Sequence, residues 1–182
     1  SIRLITTYKS PVSKIFHSDA SHRHNMVSII AASTTNNFIA DDVEIRKKDV
    51  SYTYKTIQNL KNTLKNEDIC VIIGLDVFLH IETWYNYEKL IEEVNIIVVN
   101  RPDFNIKSTE NMGFSILSKI TKDKTRFLES KKGCIFFYKM PSIGISSTRI
   151  RSMIGRGENP SGMIPGSIMS YIKRNKLYME KI

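Results

Sequence analysis

Long apolar runs are missing from this sequence, and none approaches the length of a helix that crosses a bilayer, so we expect no membrane span. Ser1 to Lys9 also lacks the basic start and apolar stretch of a signal peptide. Cysteine is scarce, and Cys70 and Cys134 both lie within apolar runs, where free thiols behave as small apolar side chains. This cysteine usage indicates a reducing compartment, which we take to be the cytoplasm.

Metal-binding patterns are also lacking. Of the four histidines, His22 and His24 would point to opposite sides of a helix, so we predict no zinc site. We find no internal repeat, low-complexity segment or linker, and 182 residues suffice for one well-buried domain. The sequence therefore predicts a single domain over residues 1–182.

Positive charge is in excess, because 27 Lys and Arg face 18 Asp and Glu, for a net charge of +9. The basic residues are spread along the chain, so they imply a polyanionic partner only weakly, and a soluble Lys-rich surface explains them as well. Aromatic residues are not interleaved with the basic ones as in a stacking platform. We therefore expect no nucleic-acid partner.

Helix-like and strand-like patterns alternate along the chain. Strands are predicted at Ile2–Thr6, Val43–Lys47, Ile69–Gly74, Val94–Val99 and Cys134–Met140, and helices at Asp19–Ala32, Thr53–Leu64, Trp84–Glu93, Phe114–Leu128 and from about Ser146 and Pro165. Residues 100–110 are predicted to form a loop. Apolar strands that alternate with helices predict an α/β fold with a mostly parallel sheet.

Ligands of parallel sheets bind beyond the carboxyl ends of the strands. Gly74 and Asp76 close one predicted strand, Arg101 follows the next, and Ile145–Arg151 follows the last. These segments offer a hydrogen-bond acceptor in Asp76, a cation in Arg101 and an anion-binding helix start in Ile145–Arg151. Together they suit a nucleotide. Taken singly, Asp76 also fits an ordinary helix cap, and Arg101 an ordinary surface charge.

The segment Ile145–Arg151 gathers three hydroxyls and two guanidiniums where a helix is predicted to begin. The first N–H groups of a helix and its dipole stabilise an anion, Ser or Thr can cap, and Arg can bind phosphate with two N–H groups. Spacing places Arg151 over the turn that carries Ser147 and Thr148, with Ile150 and Ile154 on the other side. An ordinary capped helix with solvated arginines is the alternative interpretation.

These residues resemble motifs of the nicotinate (nicotinamide) mononucleotide adenylyltransferase family, within the nucleotidyltransferase superfamily. The similarity covers nearly the whole chain. The motifs occur in the order Ser51-Tyr52-Thr53, Gly74-Leu75-Asp76, Thr83-Trp84-Tyr85, Tyr87-Glu88, Arg101-Pro102, Ile145–Arg151, Met163-Ile164-Pro165, Tyr171-Ile172 and Leu177-Tyr178. The resemblance implies a dinucleotide-binding-like (Rossmann-like) fold, with helices on both faces of the sheet and a small helical C-terminal end.

The resemblance also implies an activity, the transfer of an adenylyl group from ATP, with Mg²⁺, to nicotinate mononucleotide in NAD biosynthesis. Arg151, Thr148 and Ser147 would act on the phosphates, and ATP binding would also involve Ser146, Gly74 and Asp76. The mononucleotide would contact Trp84, Tyr52, Thr53, Tyr85 and Arg101. Trp84 suits this role because an indole face attracts a pyridinium ring, although a core Trp at a helix start is the alternative. A homo-oligomer is compatible with the sequence.

One family motif is missing from these 182 residues, the His-x-Gly-His turn after the first strand. Gly155 and Gly157 lie too late in the chain to supply it and lack the histidines. We therefore expect a strand, turn and helix of about 30 residues before Ser1, from the size of a strand-helix-strand unit. A departed, inactive relative is the alternative, which the persistence of the other ligand motifs disfavours.

Two other functions fit parts of the sequence. A pantetheine-phosphate adenylyltransferase would share the Ser-Ser-Thr-x-Ile-Arg segment, but Trp84-Tyr85, Leu177-Tyr178 and Ser51-Tyr52-Thr53 favour the pyridine nucleotide enzyme. A basic, non-catalytic nucleic-acid-binding module would account for the net charge alone.

Overall fold

A computed structural model describes residues 1–12, 16–34, 37–65, 67–100, 109–141 and 143–179 of the chain. Its elements are β1 (Ile2–Ile5), α1 (Ala20–Ser33), β2 (Phe38–Asp41), α2 (Val43–Lys47), α3 (Thr53–Thr63), β3 (Cys70–Gly74), α4 (Leu75–Phe78), α5 (Tyr87–Glu93), β4 (Asn95–Asn100), α6 (Phe114–Leu117), β5 (Ile120–Thr121), α7 (Lys124–Glu129), β6 (Ile135–Lys139), α8 (Ser147–Gly155) and α9 (Gly166–Arg174). A 3₁₀ turn at Ile81–Thr83 lies between α4 and α5. Within the described ranges, no helix combines the length and the apolar character that crossing a membrane requires.

The chain divides into two compact units, one of Ser1–Ser51 with Gly144–Ile182 and one of Tyr52–Ile143. In the first unit β1 and β2 are paired. In the second unit four strands pair in the order β3-β4-β6-β5. All of these pairings are parallel, and helices separate most of the strands along the chain, which confirms the α/β class. A single domain over the whole chain stays a prediction.

The core of the second unit surrounds β4, which pairs on both sides. Ile96 and Val98 of β4 and Ile135 of β6 are almost fully buried, as is Phe78 of α4, whose ring meets that of Phe137 edge-on. Parallel strands that are covered on both faces need such continuous apolar sequences. The apolar runs of β4 and β6 therefore reflect their place in the sheet. β3 lies at the edge of this sheet with Cys70 and Ile72 exposed, so its apolar sequence does not correspond to burial on both faces.

A buried amide joins β4 to the segment before β6. Asn95 is 7% exposed, its Nδ2 donates to the carbonyl oxygen of Ser130 at 2.5 Å, and its Oδ1 accepts from the backbone N–H of Cys134 at 3.0 Å. The polar atoms of this buried side chain therefore have partners, as buried polar groups require.

The core of the first unit joins α1, α8 and α9. Ile154, Ile168 and Ile172 form a buried cluster, and partly buried residues that pack against it include Met26, Ile29, Ile30 and Ile150. Polar contacts support the same packing, because the Tyr171 hydroxyl lies 2.9 Å from both His22 Nδ1 and Asn25 Nδ2. One face of α8 is thus held in this core.

The start of α8 is fixed by a side-chain cap. Ser146 has extended backbone angles, and its Oγ accepts from the backbone N–H of Arg149 at 3.2 Å. This bond satisfies one of the N–H groups that lack an intrahelical partner at a helix start. The helices predicted from about Ser146 and Pro165 are therefore confirmed.

The predicted strand at Val43–Lys47 is wrong, because these residues form α2, and the strand is Phe38–Asp41 directly before it. The Asp41 carboxylate accepts from the backbone N–H of Val43 at 2.9 Å and from Arg3 at 2.7 Å. Asp41, the last residue of the strand, therefore binds the backbone N–H of the first residue of the helix. Alternation of apolar and polar residues over only five positions does not distinguish a strand from a helix.

The single helix predicted at Phe114–Leu128 is also wrong. Ile120 and Thr121 form β5, which pairs with Ile135 and Phe136 and separates α6 from α7. Asp123 then caps α7 by accepting from the N–H groups of Thr125 and Arg126, at 2.8 and 3.2 Å. An Asp in that position is a helix-start signal that the sequence does contain.

Replacing Asn95 tests how the segment before β6 is held. We expect Asn95→Ala to lower the free energy of unfolding by about 2 to 3 kcal/mol, because it leaves buried backbone groups unpaired. Urea unfolding measures this change, and Asn62→Ala, at an exposed position of α3, is the control. Equal unfolding free energies for the two variants would contradict the assigned role of Asn95.

Replacing Ser146 tests the helix cap. Ser146→Ala is expected to lower the free energy of unfolding by about 1 kcal/mol, the usual cost of a lost cap. Ser147→Ala, one residue into the helix and exposed, is expected to have little effect on stability. Thermal unfolding of both variants checks the difference, and a larger effect at Ser147 would show that the cap is assigned to the wrong residue.

Candidate functional site

The parallel strands of the second unit end at one edge of their sheet. Gly74 at the end of β3 lies opposite Val99, and Asn100 at the end of β4 lies opposite Lys139 at the end of β6. The ends of β3 and β4, where the sequence predicts ligand-binding residues, are therefore neighbours. Arg101 lies outside the described residues.

Gly74 and Asp76 lie at the junction of β3 and α4. The N-cap of α4 is Gly74, which has no side chain that could cap the helix. Asp76 is an exposed residue in the first turn of that helix. Asp76 is therefore not the cap residue. A Cβ atom added to Gly74 would collide with Asp76 Oδ1. The glycine thus allows the Asp76 carboxylate to lie back against the strand end, where it remains available as an acceptor.

Three tyrosines and a lysine form a cluster at the start of α3. The ring centroids of Tyr52 and Tyr85 are 5.0 Å apart, and that of Tyr54 is 6.3 Å from Tyr85. Lys55 Nζ lies 5.0 Å from the Tyr52 centroid and 5.5 Å from that of Tyr85. Tyr52 and Tyr85 are both predicted mononucleotide contacts, so the structure brings two of that set together. We call these four residues the tyrosine cluster.

Thr53, another predicted mononucleotide contact, is the first residue of α3. The N-cap residue Tyr52 makes no side-chain cap bond, and the first backbone bond of this helix runs from the N–H of Thr56 to the carbonyl of Tyr52, at 3.0 Å. The N–H groups of the first turn therefore remain able to donate to another group.

Trp84 and Tyr85 lie in a turn and not in a helix, which corrects the predicted start of α5. The Tyr87 N–H donates to the carbonyl of Trp84 at 3.2 Å, and Asn86 has a left-handed conformation with φ 54°. Asn tolerates that conformation better than most residues. Trp84 is partly buried and Tyr85 is 48% exposed. Trp84 is therefore not a fully buried core residue.

The polar face of α8 carries the residues predicted to bind phosphate. Ser147 and Thr148 are exposed, and Arg151 is partly exposed, with its Nη2 3.5 Å from Thr148 Oγ1. Arg151 thus projects over the first turn, as its spacing predicts. Within the described part of the chain no carboxylate forms an ion pair with Arg151, whereas Arg156, the C-cap residue that follows α8, pairs with Glu158 at 2.7 Å.

The cap bond at Ser146 uses only its oxygen as an acceptor, so the hydroxyl hydrogen remains a donor. Ser146, Ser147 and Thr148 therefore present three hydroxyls at the start of a helix. Together with Arg151 they form a set of donors that suits an anion.

Arg23 on α1 orders the segment after β1. Its guanidinium donates to the carbonyl oxygens of Thr7 at 2.6 Å, Tyr8 at 3.3 Å and Ser18 at 3.3 Å, and it stacks 4.0 Å from the Phe16 ring centroid. Burial lowers the pKa of Arg23, against the opposing effects of Tyr178 and Asp19. This arginine therefore holds the backbone at Thr7, Tyr8 and Ser18 in place.

Metal ligands are not grouped in the described ranges, where no set of three or more His, Cys, Asp or Glu side chains suits a metal ion.

Sequence reasoning missed the contribution of Tyr54 and Lys55 to the tyrosine cluster. The three-residue spacing of Tyr52 and Lys55 at a helix start was the only available signal, since Tyr85 is 30 residues distant along the chain.

Known proteins resemble this chain over most of its length. The cytidylyltransferase-like family model matches residues 5–153. A probable nicotinate-nucleotide adenylyltransferase of Clostridium tetani is 31% identical over 88% of this chain and 74% of its own length. One of Methylococcus capsulatus is 28% identical over 88% of this chain and 76% of its own length.

Solved structures show the same fold. The nicotinic acid mononucleotide adenylyltransferase of Plasmodium falciparum, complexed with NaAD, superposes with a TM-score of 0.69 at 20% identity, over 97% of this chain and 82% of its own. The parallel strands, the order of the motifs and these matches lead to one conclusion: the chain belongs to the cytidylyltransferase-like family and, within it, to the nicotinate-nucleotide adenylyltransferases.

Proposed function

We propose that this protein transfers the adenylyl group of ATP to nicotinate mononucleotide, giving nicotinate adenine dinucleotide and pyrophosphate in NAD biosynthesis. The observation that carries the proposal is the 31% identity, over 88% of this chain, to a probable nicotinate-nucleotide adenylyltransferase. The family match over residues 5–153 does not name the substrates, but it extends into α8 and so includes Ser147, Thr148 and Arg151. Relatives that bear the name of this enzyme align with 86 to 97% of the chain.

The reaction is a displacement at phosphorus. A phosphate oxygen of the mononucleotide attacks the α-phosphorus of ATP, the bond from that phosphorus to the oxygen bridging to the β-phosphate breaks, and pyrophosphate leaves with the electron pair. No protein nucleophile is needed, because such transfers depend mainly on positioning and on charge stabilisation. The chain's task is therefore to hold two nucleotides and to stabilise the leaving group.

On α8, Arg151, Ser147 and Thr148 would bind the phosphates that become pyrophosphate. The guanidinium has no carboxylate partner among the described residues, so its charge is not already neutralised. Ser146 would donate its hydroxyl hydrogen while its oxygen caps the helix. Mg²⁺ would arrive bound to ATP as part of the substrate and neutralise part of the phosphate charge.

The remaining predicted residues divide between the two nucleotides. Gly74 would permit close approach of the adenosine to the backbone, and Asp76 would accept from its hydroxyls. Trp84 would stack on the pyridinium ring with Tyr52 nearby. Thr53 and Tyr85 would bind the ring carboxylate through their backbone groups, and Arg101 would help to hold the mononucleotide. Cys70 and Cys134 are both free thiols, which supports the cytoplasm as the place of the reaction.

Turnover by the full-length gene product tests the proposed function. With MgATP and nicotinate mononucleotide we expect equal amounts of dinucleotide and pyrophosphate, measured by chromatography and a coupled pyrophosphate assay. Phosphopantetheine, assayed side by side, is expected to give no product, because Trp84 suits a pyridinium ring. Failure to turn over any pyridine mononucleotide would refute the proposal.

A separate measurement tests the nucleic-acid alternative. Oligonucleotide binding that weakens steeply with salt would favour it.

Arg151→Ala tests the phosphate site. We expect kcat/KM to fall by about 100- to 1,000-fold, the usual effect of removing a donor that stabilises transition-state charge. Stability should change by less than about 0.5 kcal/mol, because the side chain has no buried partner. Arg149→Ala is the control, since Arg149 is an exposed arginine on the same helix. Similar kinetic losses in both variants would indicate a general charge effect and contradict the assignment.

A further inference from the structure

Lys55 occupies an unusual position in the tyrosine cluster. It lies in the first turn of α3, three residues after Tyr52, and its Nζ lies 5.0 and 5.5 Å from the centroids of Tyr52 and Tyr85. Those two rings come from segments more than 30 residues apart and are themselves 5.0 Å from each other. The ammonium therefore lies beside the two tyrosines that are predicted to contact the mononucleotide.

The charge of Lys55 is not neutralised by the described part of the chain. Its side chain is exposed, and no described carboxylate forms an ion pair with it. Lys61, two turns along the same helix, instead pairs with Glu93 at 2.9 Å. The aromatic rings attract the ammonium through their faces, but they carry no net charge to balance it. Lys55 is thus able to pair with an anionic group of a ligand.

The two possible mononucleotides differ in charge at the ring substituent. Both carry a positive pyridinium ring, but the nicotinate form adds a carboxylate, whereas the nicotinamide form has a neutral carboxamide. A lysine next to the ring attracts the first substituent, and it repels the uncompensated pyridinium of the second. One side chain therefore contributes both attraction to one substrate and repulsion of the other, which is how specificity arises.

We propose that Lys55 is a specificity-determining residue that selects the acid form of the mononucleotide over the amide form by pairing with the ring carboxylate. The proposal rests on the proposed function, because it requires the tyrosine cluster to be where the mononucleotide binds. It adds a side-chain cation to the backbone groups assigned to Thr53 and Tyr85. The ring substituent is remote from the reacting phosphate, so the effect should appear in binding and not in the chemical step.

Calorimetric titration with each mononucleotide alone, followed by steady-state kinetics, tests this proposal. In Lys55→Met we expect Kd and KM for nicotinate mononucleotide to rise about five- to tenfold, as for loss of one charge-assisted contact. The values for nicotinamide mononucleotide should stay equal or fall, and kcat should be unchanged. Lys55→Arg should restore the preference. Lys89→Met, at an exposed position of α5, is the matched control.

Other outcomes overturn the proposal. Equal weakening of both mononucleotides in Lys55→Met would show that the lysine only supports the tyrosine rings. An unchanged acid preference, or no binding of nicotinate mononucleotide to the unaltered protein, would show that Lys55 does not contact the carboxylate. The titration needs no turnover, so a protein that binds with the expected preference but forms no dinucleotide would refute only the proposed function.

Discussion

Parallel pairing on both sides of β4 is the constraint on which the second unit depends. Because β4 bonds to β3 and to β6 in fixed register, the strands run in one direction and finish at one edge of the sheet. Burial of Ile96 and Val98 on this central strand holds the register, since a slip of one residue would exchange them with the less buried Ile97 and Val99. The Gly74–Asp76 junction is placed by this pairing, because α4 begins where β3 ends. The buried amide of Asn95 fixes the other end of β4.

In the first unit, α8 combines two tasks in nine residues. Its apolar face, with Ile150 and Ile154, belongs to the core that α1 and α9 share, while its first turn keeps hydroxyls exposed. A helix that is packed on one face presents its polar groups with little loss of entropy on binding, because the backbone is already fixed. Among the described residues, Arg156 and Lys61 pair with carboxylates, whereas Arg151 and Lys55, like the exposed Arg149 and Lys89, do not.

Much of the fold follows from the sequence pattern, and the failures have physical causes. The runs that became β3, β4 and β6 indicate strands, and the cap at Ser146 marks the start of α8. The apolar run of β3 also predicts burial on both faces, but Cys70 and Ile72 are exposed because β3 lies at the edge of the sheet. The errors fall on short segments. Val43–Lys47 is too brief for its period to distinguish helix from strand, and Ile120–Thr121 becomes a strand only because β6 offers a free edge. The sequence predicts Trp84 at the start of a helix, but the left-handed Asn86 delays the start of α5 to Tyr87.

The sequence by itself determined the α/β class, the order of the motifs and the residue types that suit phosphate and a pyridinium ring. These properties depend on neighbours along the chain, where spacing and capping preferences act directly. Only the tertiary structure decided which charges are neutralised and which side chains meet. Lys55 approaches Tyr85 across 30 residues, and Asn95 reaches the carbonyl of Ser130 across 35. Such contacts depend on how separate elements pack together, and the period of any one element carries no information about its partner.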